Sequence, residues 1–305
     1  SGKTFKIITM PKNFPSDVLK NKKLSIGFDP KLHTELMIGR LFKNSDSKLV
    51  PINRNLINKI WIRKSTNKLY KFYKLNDKDS GQSSKIKINK LSKILNRNKT
   101  NLQFISASEN VAWLLNLRGS DSEFTPTPHS YLILNDKNKV FFFCNLNKIN
   151  KKLKKNLKNI IMIDIKHIEQ FLLKIKNKIV QLDDSSCSIF FKNIIKKNNT
   201  IIQKQDPIYF FKSIKNKTEI RNIIKAHIYD GVALTKFLFW LQNNFKNKKI
   251  TEISAQEKLL KFRKNNKNFK SLSFPTISGS GPNAAIIHYK VNKQSNRILK
   301  NGDLY

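Results

Sequence analysis

An α/β (α+β) fold is predicted for this 305-residue chain by three features of its sequence. Between residue 82 and about residue 210, apolar runs of strand length alternate with Lys-rich stretches of helical character, as in layered sheet-and-helix domains. Tyr131–Leu134 and Val140–Cys144 flank Asn135-Asp136-Lys137-Asn138-Lys139, a hairpin signal. Beyond Asp206-Pro207, Ile220, Ile223, Ile224, His227, Gly231, Leu234, Leu238 and Leu241 recur at helical spacing, which predicts a long amphipathic helix.

Taken in order, the elements begin with Leu24-Ser25-Ile26-Gly27-Phe28, a short strand ended by Asp29-Pro30. A helix is expected from Lys31 to Phe42, a strand at Val50-Pro51-Ile52 and a short apolar element from Leu56 to Trp61. Polar sequence around Asp77-Lys78-Asp79-Ser80-Gly81 predicts a linker. A helix then spans Ile86–Leu95, and Leu102–Ile105 is a strand. Ser106-Ala107-Ser108-Glu109 has the form of a capping box opening a helix through Leu115. Ile160–Ile163, Ser188–Phe191 and Ile201–Gln203 are further strand candidates. Thr251 is placed to cap a helix running to about Arg263. Ser273–Ser278 and Ala284–Tyr289 are expected to be strands on either side of the tight turn Gly279-Ser280-Gly281-Pro282-Asn283. Ser1-Gly2-Lys3-Thr4-Phe5 is neither an initiator Met nor a signal peptide and reads as a cut. Asn301-Gly302-Asp303-Leu304-Tyr305 reads as a turn entering a buried strand.

Sixty basic residues face twenty acidic ones, a formal net charge of +40. Such an excess ordinarily points to nucleic acid or an anionic surface. Here the lysines run through the whole chain beside Asn and Ile, as in Lys85-Ile86-Lys87-Ile88-Asn89-Lys90, and Arg is scarce. A nucleic-acid footprint gathers on one face and carries Arg and interleaved aromatics. The composition therefore reads as drift of the source genome, leaving weak, salt-sensitive polyanion binding and no specific nucleic acid as the expectation. No apolar run nears the roughly 20 residues of a membrane span. The two cysteines, Cys144 and Cys187, each lie in an apolar stretch and are expected to be buried free thiols, as in a reducing cytosol.

Several residues have both a structural and a functional reading. His288 closes an apolar run after a Gly-rich turn; from position alone, it reads first as a satisfied structural histidine. Gly279, Gly281 and Pro282 read as turn formers, because no helix follows to make a phosphate cradle. Arg118, at a helix end before Gly119, either pairs with the helix C-terminus or faces a substrate. Asp121 and His129 share its loop, while Trp113, His227 and Trp240 read as packing residues.

Two blocks carry a family resemblance. The first is Ser108-Glu109-Asn110-Val111-Ala112-Trp113-Leu114-Leu115-Asn116-Leu117-Arg118-Gly119-Ser120-Asp121 with Thr125-Pro126-Thr127-Pro128. The second is Phe274-Pro275-Thr276-Ile277-Ser278-Gly279-Ser280-Gly281-Pro282-Asn283-Ala284-Ala285-Ile286-Ile287-His288-Tyr289. They resemble the middle domain, and the entry to the pita-bread catalytic fold, of three-domain Xaa-Pro aminopeptidases. His227-Ile228-Tyr229-Asp230-Gly231, Gly27-Phe28-Asp29-Pro30 with His33, and Lys59-Ile60-Trp61 are similar more weakly.

The resemblance implies a partial first creatinase-like N-terminal domain (residues 1–81), a second (82–210), and the beginning of a pita-bread catalytic domain (211–305). It implies a cytoplasmic, metal-dependent aminopeptidase that releases the first residue of peptides with Pro second. The middle domain would roof the cleft. His288 would be catalytic and substrate-binding, and Arg118 substrate-binding. Two divalent ions, Mn in the family, would be held by two Asp, one His and two Glu that fall beyond Tyr305, so no metal ligand is assigned within the chain. Peptides are the implied partners, a homodimer stays open, and no membrane is implied. The Xaa-Pro bond is a tertiary amide without an N–H and restrains the residue before it, which suits a site built on metals rather than on backbone recognition. The alternatives are a prolidase-like hydrolase and a non-catalytic pita-bread module that binds a protein partner.

Overall fold

The structure, a computed structural model, describes residues 4, 6–61 and 70–305; most of the opening Ser1–Phe5 segment lies outside them. It divides into two compact units. Ser1–Asp77, Gln82–Asp121 and Thr127–Ile214 make the first, and Lys78–Gly81, Ser122–Pro126 and Lys215–Tyr305 the second.

In the first unit, a turn of helix at Pro15–Val18 (α1) precedes strand β1 (Ser25–Phe28), helix α2 (Glu35–Leu41), strand β2 (Lys48–Pro51) and a turn of helix at Ile57–Ile60 (α3). Strands β1 and β2 pair in parallel from Ser25↔Lys48 to Phe28↔Pro51. Helix α2 starts later than its sequence suggests because Thr34 is its N-cap, accepting from the Met37 amide. This region joins the main sheet layer through backbone bonds from Ile189 to the His33 carbonyl and from Phe190 to the Pro30 carbonyl.

Strand β3 (Tyr73–Lys74) is followed by α4 (Asp77–Ser80), where the sequence predicts a linker. Then come α5 (Ser84–Arg97), β4 (Leu102–Ile105), α6 (Ser108–Leu115), β5 (Leu117–Arg118), β6 (Ser130–Asn135), β7 (Val140–Cys144) and α7 (Lys151–Asn156). After β8 (Ile161–Asp164) and α8 (Ile168–Leu173) follow β9 (Ile179–Leu182), α9 (Ile189–Lys196), β10 (Thr200–Gln203) and α10 (Pro207–Ser213). Six strands form one mixed sheet in the order β10-β9-β4-β6-β7-β8. The predicted hairpin is β6–β7, with Ser130 opposite Cys144 and Leu134 opposite Val140.

Side chains alternate across this sheet, so each strand feeds two cores. Leu132, Leu134, Phe142 and Cys144 pack with Leu91 and Leu95 of α5 and with Val111 and Leu115 of α6. Ile133, Phe143, Val180 and Leu182 pack on the other face with Leu172 of α8 and Ile194 and Ile195 of α9. Cys144 and Cys187 are free and buried, as expected. Burial in apolar surroundings pushes both thiols up to about 12.

Several local expectations are corrected. Ser188–Phe191 is not a strand: Ser188 accepts from the Phe191 amide and caps α9. Its Ile189, Ile194 and Ile195 form a helical apolar face, which four residues could not reveal. The capping box at Ser106 does not form, because Ala107 is the N-cap of α6 and the Ser106 hydroxyl lies 2.7 Å from that of Ser186. Strand β9 went unpredicted; its Gln181 sits among apolar neighbours and breaks the apolar run. Asp206, where the sequence suggests a boundary, caps α10 and accepts from Asn110 and Gln103 at 2.7 and 2.9 Å. Burial, set against these donors, leaves its carboxyl above the usual range.

The second unit is built on α11 (Lys217–Asn244) and α12 (Glu252–Lys264). Asn216 caps α11 in a capping box with Glu219, and Thr251 caps α12 as predicted. Phe237, Ile250, Ala255 and Leu299 are its buried core, with Trp240, Leu241, Leu259 and Phe262 packed against them. Ser273–Ser278 and Ala284–Tyr289 are not strands, and Leu304 at the chain's end is exposed. A strand exists through its ladder, and among the described residues this unit has isolated bridges alone, Ser122 to Thr125 and Thr251 to Ile298.

Candidate active site

The segment carrying His288 is held by a carboxylate that the sequence did not single out. Glu252 is the first residue of α12 after the Thr251 cap and is fully buried. A helix N-terminus favours negative charge there. Its Oε1 accepts from the Ser280 amide at 2.7 Å and from Asn283 Nδ2 at 3.0 Å. Its Oε2 accepts from the Tyr289 hydroxyl at 3.0 Å and the Arg297 amide at 3.1 Å. Burial opposes ionisation, but the donors Asn283, Arg297, Ser280 and Tyr289 outweigh it and hold the carboxyl below the usual range.

Around this centre the turn is tied down at several points. Ser278 Oγ donates to the Glu252 carbonyl at 2.7 Å and lies 3.0 Å from the Tyr305 hydroxyl. Burial raises the Tyr305 hydroxyl's pKa, with the nearby Glu252 charge adding to it. Ser280 Oγ donates to Asp303 at 2.7 Å, and the Gly281 amide donates to the Leu304 carbonyl at 2.9 Å. The Gly279-Ser280-Gly281 turn requires its glycines. A Cβ at Gly279 would stand 2.8 Å from the Asn283 carbonyl oxygen, and Gly281 has φ +57°.

His288 follows this anchored turn but ends no strand. It is exposed, with φ +55°, between Ile287, which is 87% exposed, and the buried Tyr289. No hydrogen bond or ion pair joins it to another described residue, so the satisfied structural histidine suggested by position alone is not what the structure contains. A left-handed backbone at a non-glycine residue costs on the order of 1–3 kcal/mol and persists where the surroundings impose it. The next residue, Tyr289, is anchored by bonds to Glu252 and Ser295.

Arg118 belongs to the first unit and His288 to the second, and each is described within its own. Arg118 Nη1 donates to the Leu117 carbonyl at 2.9 Å and to the Ala112 carbonyl, in the last turn of α6, at 3.3 Å. That contact is the helix-end pairing open to it from sequence. Asp121 accepts from the His129 amide at 2.8 Å and pairs with Lys148, so this loop is internally engaged. Trp113 stacks on Phe211 with Lys87 Nζ 4.0 Å from its ring, and Trp240 packs in the second core. His227 is exposed, not packed, because α11 turns Ala233 and Phe237 to the core instead.

No group of three or more His, Cys, Asp or Glu side chains gathers among the described residues. The described side chains therefore do not fit a dinuclear metal site. No described helix is long and apolar enough to cross a membrane.

Comparisons with known proteins bear on both units. Residues 63–219 match the family described as creatinase/prolidase N-terminal domain, and residues 221–305 match metallopeptidase family M24. The chain is 33% identical over 300 residues to Xaa-Pro aminopeptidase 1 of Dictyostelium discoideum, covering 92% of this chain and 47% of that protein. It is 32% identical over 295 residues to Xaa-Pro aminopeptidase ApepP of Drosophila melanogaster, with the same coverage of 92% and 47%. The X-prolyl aminopeptidase of Caenorhabditis elegans, described as a cytosolic enzyme with a di-nuclear active site, superposes with a TM-score of 0.85 at 25% identity, over 95% of this chain and 50% of that one. The prolidase of Pyrococcus horikoshii shares the fold at a TM-score of 0.51 and 18% identity, over 72% of this chain and 58% of that one. The chain thus spans about half the length of the curated relatives it matches.

Proposed function

The chain belongs to the creatinase/prolidase family, with its N-terminal domain followed by M24 metallopeptidase sequence, and from that premise we propose that it is part of an Xaa-Pro aminopeptidase. The enzyme hydrolyses the first peptide bond of substrates with proline second and acts in the cytoplasm. The observation that carries this reading is the likeness to Xaa-Pro aminopeptidases over more than nine-tenths of the chain. We keep the three-part division at residues 1–81, 82–210 and 211–305 as part of the proposal.

In this reading two divalent ions, manganese by preference, would supply Lewis-acid chemistry and would be held by residues that the described units do not provide. The chain's own contribution is positional. Glu252 and its donors fix the turn that presents His288 outward. A neutral imidazole there can donate a hydrogen bond to a developing oxyanion or carry a proton near neutral pH. Arg118 would contact the substrate from the middle domain while remaining braced on α6.

The test is a comparison of tripeptides Xaa-Pro-Yaa with dipeptides Xaa-Pro. Release of the first residue from tripeptides supports the aminopeptidase. Hydrolysis confined to dipeptides would replace it with a prolidase, and no hydrolysis of either by the metal-loaded enzyme would leave the non-catalytic module.

A further inference from the structure

Two glutamines stand side by side in the middle of the six-stranded sheet. Gln103 of β4 and Gln181 of β9 are register partners on parallel strands, and each is 1% exposed. The row they share continues to Ile202 of β10 beyond Gln181 and to Leu134 of β6 beyond Gln103. The pair is a polar step in an otherwise apolar row. Phe104, Val180 and Leu182, their neighbours along the strands, enter the core that α8 and α9 cover. Alternation therefore sends both glutamines to the opposite face, toward α6 and the cap of α10.

On that face a line of hydrogen bonds begins at Lys212. Its Nζ donates to Asn110 Oδ1 at 2.6 Å, and Asn110 Nδ2 donates to Asp206 Oδ2 at 2.7 Å. Gln103 Nε2 donates to Asp206 Oδ1 at 2.9 Å. Gln103 Oε1 and both amide atoms of Gln181 are buried without a hydrogen-bond partner among the described residues. Nearly all buried polar side chains are satisfied, by protein or by ordered water, because an unmatched one is costly.

The chemistry of these three atoms selects the ligand. Two are acceptors and one is a donor. A cation suits the oxygens and repels the nitrogen, and an anion does the reverse. Water donates and accepts, and it serves Gln181 whichever way its amide turns. The spacing agrees. Neighbouring strands lie about 4.8 Å apart, and side chains at paired positions leave the sheet side by side. Two hydrogen bonds of about 2.9 Å meeting at one water oxygen span about 4.6 Å.

We propose that Gln103 and Gln181 form a buried hydration site, in which one ordered water bridges Gln103 Oε1 and the nearer Gln181 amide atom and a second meets the other Gln181 atom. The bridging water donates to Gln103 Oε1 and so holds the Gln103 nitrogen toward Asp206. It extends the line Lys212–Asn110–Asp206–Gln103 across to β9. Asp206 caps α10, so the water braces the strand pair and the start of that helix together. This site is independent of the enzymatic reading.

A high-resolution crystal structure of the 305-residue chain tests it. A solvent peak is expected within about 2.7–3.2 Å of both Gln103 Oε1 and a Gln181 amide atom. In solution, the Gln181 side-chain amide protons of the nitrogen-15-labelled chain are expected to show long-lived nuclear Overhauser contacts with water. Gln181→Met keeps the length of the side chain and removes its polar atoms. Its crystal structure is expected to lose the bridging peak, with the circular dichroism of the chain unchanged. A direct bond between the two amides with no solvent between them overturns the proposal. A peak ringed by oxygen ligands at cation distances overturns it in favour of a bound cation. A peak left in place by Gln181→Met overturns the role given to Gln181. The measurements on the unmodified chain decide the matter even if the variant fails to fold.

Discussion

Replacing Glu252 with glutamine probes the device that holds His288. The carboxylate accepts from the Ser280 and Arg297 amides, the Tyr289 hydroxyl and Asn283 Nδ2, all inside the second unit. Glutamine keeps the volume but turns one oxygen into an NH2 that faces donors. If the amide nitrogen takes the Oε2 position, the Arg297 amide loses its acceptor and Tyr289 keeps Ser295 alone; if it takes Oε1, the Ser280 amide loses its acceptor. A buried donor left unmatched costs about 1–3 kcal/mol, so the change destabilises this unit by about that much. At about 1.4 kcal/mol per factor of ten, that is roughly a 5- to 150-fold rise in opening. Hydrogen exchange at the amides of Ser280, Gly281, Arg297 and Leu299 reads it directly, with strands β4, β6 and β7 of the first unit as the internal standard. The sign with pH follows from the depressed carboxyl. Its contribution is fully present above the unfolded value, near 4.5, and is lost as pH falls below that through the folded value. Protection unchanged by Glu252→Gln, or a loss spread equally over the first unit's sheet, would refute the role given to Glu252.

The remaining predictions are brief. The thiols of Cys144 and Cys187, pushed up to about 12 by burial, should resist a thiol reagent at pH 8 in the native chain, and both should react at once in denaturant; rapid labelling of either in the native state would contradict the packing described. His288→Ala in the metal-loaded enzyme should lower turnover by about a hundredfold or more with metal content unchanged; loss of metal would make it a ligand, and unchanged turnover would leave it without a catalytic role. A short DNA duplex should bind weakly, without sequence preference, and be released by about physiological salt; tight binding at that salt would turn the +40 charge from drift into function.

How far the sequence discloses the fold depends on where each element finds its stabilisation. The β6–β7 hairpin and helix α11 are legible because their signals are local: a turn between two apolar runs, and a 3.6-residue period held over many turns. Helix α9 was misread because Ile189, Phe190 and Phe191 have strand composition, while the burial that makes them helical comes from the sheet above. The segments 273–278 and 284–289 have strand composition and no ladder, since pairing is not a local property. At the site, the Gly279–Asn283 turn was legible from its glycines and His288 from the family-like block around it. Glu252 was not, although a lone carboxylate just after a Thr cap, in so basic a chain, was a signal that could have been used. Its partners lie 28–45 residues away, at Ser280, Asn283, Tyr289 and Arg297, and only the folded chain brings them together.

The central claim is tested most directly by mass spectrometry of products from a matched pair of peptides, Xaa-Pro-Yaa and Xaa-Ala-Yaa, incubated with the enzyme loaded with manganese and, in parallel, with a chelator. The account predicts release of the first residue alone, from the proline peptide in strong preference, and only with metal. Equal cleavage of both peptides, cleavage at an internal bond, or no cleavage with metal bound would contradict it.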